Sequence, residues 1–167
     1  MKHQVSISAV HNIDLDDLTY KFQYGWKPTS VATTKDIHES RRVGKAIRAI
    51  SKQCWFNARK VILKSDDYAE ASYIEGWALL ACGFPIEHGW VVRSDKIIDP
   101  TLPDEGMTYY PGLEFRGRAE INGFLTTPEG KKCKRSPFFF AFGWGGMQSP
   151  SFRKCYVEVM QRMKAAG

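Results

Sequence analysis

Apolar and polar positions between residues 34 and 64 follow a helical rhythm that breaks once. From about Thr34, Ile37, Arg41, Gly44, Ala46, Ile47 and Ile50 recur at loose 3.6-residue spacing, and Arg41, Arg42, Lys45 and Arg48 face outward. Ser51 can cap a second helix, which Trp55, Phe56, Ala58, Val61 and Ile62 carry to about Lys64. Cys54 then sits at the third helical position, inside the first turn. Beyond this the period shortens to that of strands. Tyr73 to Ala81 is rich in aromatic and aliphatic side chains, Gly83-Phe84-Pro85 interrupts it, and Glu87 to Arg93 resumes it. Ser94-Asp95 predicts a turn and Lys96 to Asp99 a third strand.

The rest of the chain is less regular. Pro100, Pro103, Gly106, Pro111 and Gly112 predict a long loop. Glu114 to Leu125 suits another strand or two, and Phe138-Phe139-Phe140-Ala141-Phe142 a buried strand. Ser151 to Lys164 closes the chain as a helix, with Ser151 as its cap. At the other end, Val5, Ile7 and Ala9 alternate like a short strand, and Gly25 to Ser30 reads as a loop. The order of helix, helix, antiparallel strands, long loop, strand and helix predicts an α+β fold, not alternating βαβ. We expect one domain over residues 1–167. It divides into an N-terminal extension (1–33), a core of helices and hairpin (34–101), and a loop, strands and C-terminal helix (102–167).

Composition narrows the class. Hydrophobic residues make 43% of the 167-residue chain and charged residues 25%, which excludes a wholly disordered polymer. No apolar run nears the roughly 18 residues of a membrane span, and Met1 to Val5 lacks a secretory signal. A soluble cytoplasmic protein without membrane contact is expected. The net charge of +6 permits but does not demand an anionic partner. The basic helix side reads as a solvated face, and Lys131, Lys132, Lys134 and Arg135 as a solvated loop. No aromatic residue interleaves that loop as a stacking platform, so no nucleic-acid role is expected. Cys54, Cys82, Cys133 and Cys155 lack zinc-finger spacing, and His3, His11 and His38 have no partners in sequence, so neither metal nor cofactor is expected. The cysteines read as free thiols, with Cys82 and Cys155 in settings suited to burial.

Three segments together carry chemistry: Gln53 to Ala58, Glu87 to Val92, and Ile97 to Thr101. A thiol nucleophile needs a base, and the base needs a group that fixes its tautomer. Cys54, His88 and Asp99 supply the three roles. A two-residue loop at Ser94-Asp95 pairs Arg93 with Lys96, Val92 with Ile97, Val91 with Ile98 and Trp90 with Asp99. His88 and Asp99 then share a face, one diagonal step apart. A loop longer or shorter by one residue would separate them. At a helix start, unpaired N–H groups favour the thiolate and can donate to an oxyanion. Gln53, Glu75 and Trp90 are further candidates for oxyanion or substrate contacts. Glu75 would bind a substrate amine, or else point outward as an ordinary polar residue. Gly143-Trp144-Gly145-Gly146 is either a cleft edge or a tight turn.

His88-Gly89-Trp90-Val91-Val92, followed by Ile98-Asp99-Pro100-Thr101, resembles the His-Ala-Trp … Asp-Pro-Thr hallmark of the transglutaminase-like superfamily of papain-fold cysteine enzymes. The resemblance covers about residues 51–101. It implies a nucleophile helix opened by Cys54 and packed on an antiparallel sheet that carries His88 and Asp99. It departs at Gly89, where Ala is usual, and before Cys54, where Gly-x-Cys is common. The activity implied is acyl transfer or amide hydrolysis of peptidase, deamidase or amidase type, on a protein, peptide or small amide. The rival reading is a non-catalytic binding or inhibitory protein on the same fold, such as one from a mobile element, contacting nucleic acid or an acidic partner.

Overall fold

A computed structural model of the chain describes residues 34–104, 106–142 and 150–166. The expected strand at Val5 to Ala9, the loop at Gly25 to Ser30, His3, His11 and the Gly143 to Gly146 segment lie outside the described residues.

The fold is α+β, with helices packed on a five-stranded mixed sheet. Strands β1 (Thr34–Lys35), β2 (Ser72–Leu79), β3 (Pro85–Arg93), β4 (Lys96–Ile98) and β5 (Thr108–Arg116) lie in the order β1-β4-β3-β2-β5. β1 runs parallel to β4, and the other neighbours are antiparallel.

The first helix, α1 (Ile37–Ala46), starts later than its periodicity suggests, because Thr34 and Lys35 join the sheet edge. Asp36 caps it, its Oδ1 accepting the Glu39 N–H at 2.8 Å. Arg48 follows at φ 51°, a left-handed conformation that cannot continue a right-handed helix. The second helix, α2 (Cys54–Lys64), ends where expected but is not capped by Ser51. Lys52 stands at φ 63°, so the helix begins only after it, with Gln53 as N-cap and Cys54 at the first position.

The β3–β4 hairpin has the expected register: Arg93 faces Lys96, Val92 faces Ile97, and Val91 faces Ile98. Ser94 (φ 48°) and Asp95 (φ 58°) are both left-handed, as a two-residue turn of this twist requires.

The second half departs from expectation. Residues 108–116 form a strand despite Pro111 and Gly112. β5 is an edge strand, where the missing proline N–H is tolerated, and the register against β2 shifts between Glu75 and Gly76, opposite Gly112. Residues 117–126 form helix α3 (Gly117–Thr126), which buries Gly117, Ile121 and Phe124 at helical spacing. A short helix α4 (Pro128–Lys132), capped by Thr127, holds the first part of the basic cluster. Phe138–Phe142 is a 3-10 helix, not a strand. The last helix, α5 (Pro150–Ala166), includes Ser151 within its span and so is not capped by it.

Ala58, Val61 and Ile62 of α2 are fully buried against Tyr73, Val91, Leu113 and Phe115 on one sheet face, with Phe124 and Phe138 closing the cluster. Burying Val61 and Ile62 is worth about 1.5–3 kcal/mol each, which helps to hold α2 against the sheet. Lower on this face, Trp77 and Leu79 meet Phe152 and Cys155 of α5. The other face carries Ile74, Trp90, Val92 and Ile97 with Tyr109. All four cysteines are free; Cys155 is buried as expected, and Cys82 is not. Cys82 is exposed in the β2–β3 connection, and Cys133 is buried. No helix among the described residues is long and apolar enough to cross a membrane.

Candidate active site

Cys54 opens α2, and the backbone N–H groups of residues 54–56 precede the first intrahelical bond, Asn57 N–H to Gln53 C=O at 2.8 Å. No side chain caps them. They are therefore donors without a helical acceptor. Gln53 is exposed at the N-cap.

The β3–β4 ladder ends at Val91 and Ile98, so His88 to Trp90 extend past the last paired residue of β4. The start of α2 approaches β3 here. A Cβ on Gly89 would stand 2.9–3.2 Å from Cδ1, Cα and N of Trp55. Glycine at this position thus lets the start of α2 come onto the strand. Gly89→Ala should cost about 1–3 kcal/mol, because the clash is partly with helix backbone. Urea denaturation checks the stability loss, and slower alkylation of Cys54 would report the displaced thiol.

The structure brings Cys54, His88 and Asp99 together. His88 Nε2 meets Asp99 Oδ2 at 2.7 Å. Cys54 lies near enough to bear on the charged form of the imidazole, and the bond to Asp99 leaves Nδ1 free of that carboxylate. All three are buried, His88 and Asp99 almost completely. Burial works against the imidazolium, but the charge and hydrogen bond of Asp99, together with Cys54, outweigh it and hold the His88 pKa up at about 9. Burial likewise pushes the Asp99 carboxyl up. His88, Lys35 and the Leu102 N–H more than offset it, and Asp99 ends below its ordinary value.

Asp99 is held on every side. Its Oδ1 accepts the Thr101 and Leu102 N–H groups, both at 3.0 Å, which closes the turn at Pro100. Its own N–H donates to Ser40 Oγ at 2.9 Å, tying the turn to α1. The Tyr109 hydroxyl donates to Oδ2 at 2.8 Å, and the Lys35 ammonium stands 3.8 Å from the same oxygen. Burial pulls the Lys35 pKa below its usual value, against the pull of Asp99 and Asp104. Trp90 stacks on His88, ring centroids 6.2 Å apart and planes 20° apart, and Tyr109 packs against both rings. Trp90 is thus a wall of the His88 pocket.

Glu75 is placed elsewhere. It is buried, and its carboxylate accepts the Phe138 and Phe139 N–H groups at 2.6 and 2.9 Å and the Tyr73 hydroxyl. Burial raises its pKa, against the Arg59 guanidinium and these donors. Its observed bonds fix the 3-10 turn under α2. Among the described residues the Trp55 indole N–H is the one buried side-chain polar atom without a hydrogen-bond partner.

Tyr109, Lys35, Ser40 and Asn57 were not singled out from sequence. Tyr109 lies in a stretch whose prolines and glycines signalled a loop. Asn57 lies within the Gln53 to Ala58 segment, and its bonding emerges only in three dimensions. Its amide spans Ile50, accepting the N–H at 3.0 Å and donating to the C=O at 2.7 Å, and it also donates to Thr101 Oγ1 at 2.9 Å. One buried side chain thereby joins the loop before Cys54 to the turn after Asp99. Among the described residues no cluster of three or more His, Cys, Asp and Glu is arranged to hold a metal. Compared with known family models, curated proteins and solved structures, the chain matches none.

Proposed function

We propose that this protein is a cysteine-dependent acyl-transfer enzyme, hydrolytic by default, on a papain-like core of the transglutaminase-like type. The observation that carries the reading is a buried imidazole bonded through Nε2 to a carboxylate, with a buried thiol at a helix start beside it. The thiolate of Cys54 adds to an amide carbonyl carbon, and the first-turn N–H groups of α2 receive the oxyanion. His88 gives its proton to the departing nitrogen as the C–N bond breaks, leaving a thioester on Cys54. Water then attacks the thioester, His88 takes its proton, and the C–S bond breaks to release a carboxylic acid. Asp99 stays ionised throughout and keeps the ring oriented.

Thiol labelling tests this directly. An ordinary cysteine is about 1% ionised at pH 6.5. Under brief iodoacetamide treatment at that pH, buried Cys54 should react before exposed Cys82. A cysteine-hydrolase activity probe should label the native chain and not Cys54→Ala. Preferential labelling of Cys82 would remove the nucleophile assignment.

A further inference from the structure

A groove of about 350 Å³ lies between α1 and two loops, the one entering the nucleophile helix and the one leaving Asp99. We propose that it is the subsite for an acidic side chain of a peptide substrate, a proposal that rests on the acyl-transfer reading above.

Its walls are of three kinds. Arg41 and Lys45, one helical turn apart on α1, supply positive charge, Ser51 and Thr101 supply hydroxyls, and Ile50 and Pro103 supply apolar surface. Among the described residues no carboxylate stands within ion-pair distance of Lys45. Arg41 takes the carboxylate of Asp104 at 3.0 Å, and both of those side chains are mostly exposed. The loop residue thus already shows the groove's rim accepting a carboxylate, in an exposed pair weak enough for a substrate to replace.

The groove is fixed to the reactive centre. Both loops are held by Asn57, three residues after Cys54. On its floor α1 rests on the Asp99 turn, since a Cβ on Gly44 would lie 2.7 Å from the Pro100 carbonyl oxygen. Arg48 and Lys52, both left-handed without being glycine, bracket Ser51. Such strained backbone persists where surrounding structure imposes it, here through the Asn57 clamp on Ile50. Ser51 is three residues from Cys54, a span of at most about 10 Å. That is the reach of an extended peptide over two or three residues. A carboxylate two residues from the scissile amide can therefore lie between Lys45 and Ser51 while the amide meets Cys54. Polar clamps and an exposed Ile50 suit Asp or Glu beside an apolar residue.

The test uses the full chain and three peptides carrying one chloroacetamide group, with Glu, Gln or Lys two residues from it. The rate of Cys54 labelling, read by intact mass, is divided by the iodoacetamide rate of the same protein. At low salt the Glu peptide should react at least fivefold faster than Gln and more than tenfold faster than Lys. High salt should compress the ratio. The double variant Arg41→Glu, Lys45→Glu should lose or invert the order, and the milder Arg41→Gln, Lys45→Gln should flatten it. Lys131→Glu with Lys132→Glu on α4 should leave it unchanged. Equal rates for Glu and Gln, or a Glu preference that survives in both groove variants, would overturn the subsite. So would a single-stranded oligonucleotide that displaces the Glu peptide at equal charge. If iodoacetamide instead favours Cys82 over Cys54, the acyl-transfer reading falls by itself. Anisotropy titration of unreactive Glu and Gln peptides then still decides whether the groove prefers acid.

Discussion

Exchange of His88 for alanine should slow acylation of Cys54 by about 10²–10⁴-fold, the usual contribution of a positioned acid–base group. The loss should appear in single-turnover reaction with a thioester or activated amide, with the fold intact by circular dichroism. In the native protein the dependence on pH has a defined sign. His88 stays protonated up to about 9, so acylation should hold through neutrality and decline as pH rises through that value. Asp99→Asn removes the charge that opposes the cost of burial, and the basic decline should then move down toward 6.5 or below. An unmoved profile would mean that some group other than His88 sets it.

Asp99→Ala should be the most destabilising single exchange near the site. It leaves buried His88 without its anion, takes one of two nearby anions from half-buried Lys35, and removes the acceptor of two turn N–H groups. Breaking a buried charge pair in this way costs roughly 3–5 kcal/mol, measurable by urea denaturation near neutral pH. The same pair gives stability a pH window. The folded His88 pKa of about 9 exceeds its ordinary 6.5, so its contribution, of order 3 kcal/mol, is full below about 6.5 and is lost as pH rises through 9. The Asp99 pKa is depressed below its ordinary 3.8, so its contribution is present above that value and is lost as pH falls below it. Stability should peak between these limits and decline on both sides. A native chain whose stability is flat from pH 6 to 10 would contradict the pairing.

The hairpin that joins His88 to Asp99 was legible because both of its determinants are local. A two-residue turn sets the register, and the period of two decides which side chains share a face. The start of α2 was misplaced because serine is a good cap in isolation. The Asn57 clamp on Ile50 and the left-handed Lys52 settle the matter, and neither is visible in a local window. β5 was hidden by Pro111 and Gly112, which break central strands but suit an edge with a bulge. The Phe138 to Phe142 run was ambiguous by pattern alone. Its first two N–H groups bond to the Glu75 carboxylate, and that distant buried group favours a tight turn over a strand ladder. Tyr109 and Lys35 come to Asp99 from elements distant in sequence, so the completion of the site had no local signal.

The extra residue at Gly112 has a consequence of parity. Along a strand, odd and even positions serve opposite sides, and one inserted residue reverses the assignment beyond it. With the bulge, Tyr109 falls opposite Ala78 and reaches Asp99, while Tyr110 falls opposite Trp77 and bonds Glu158 of α5. Were Gly112 paired instead in a regular ladder, Tyr110 would fall opposite Ala78 and Tyr109 opposite Leu79, and the two adjacent tyrosines would exchange duties, one leaving the carboxylate and the other the last helix. A single unpaired glycine thus apportions two identical phenols between the chemistry and the scaffold.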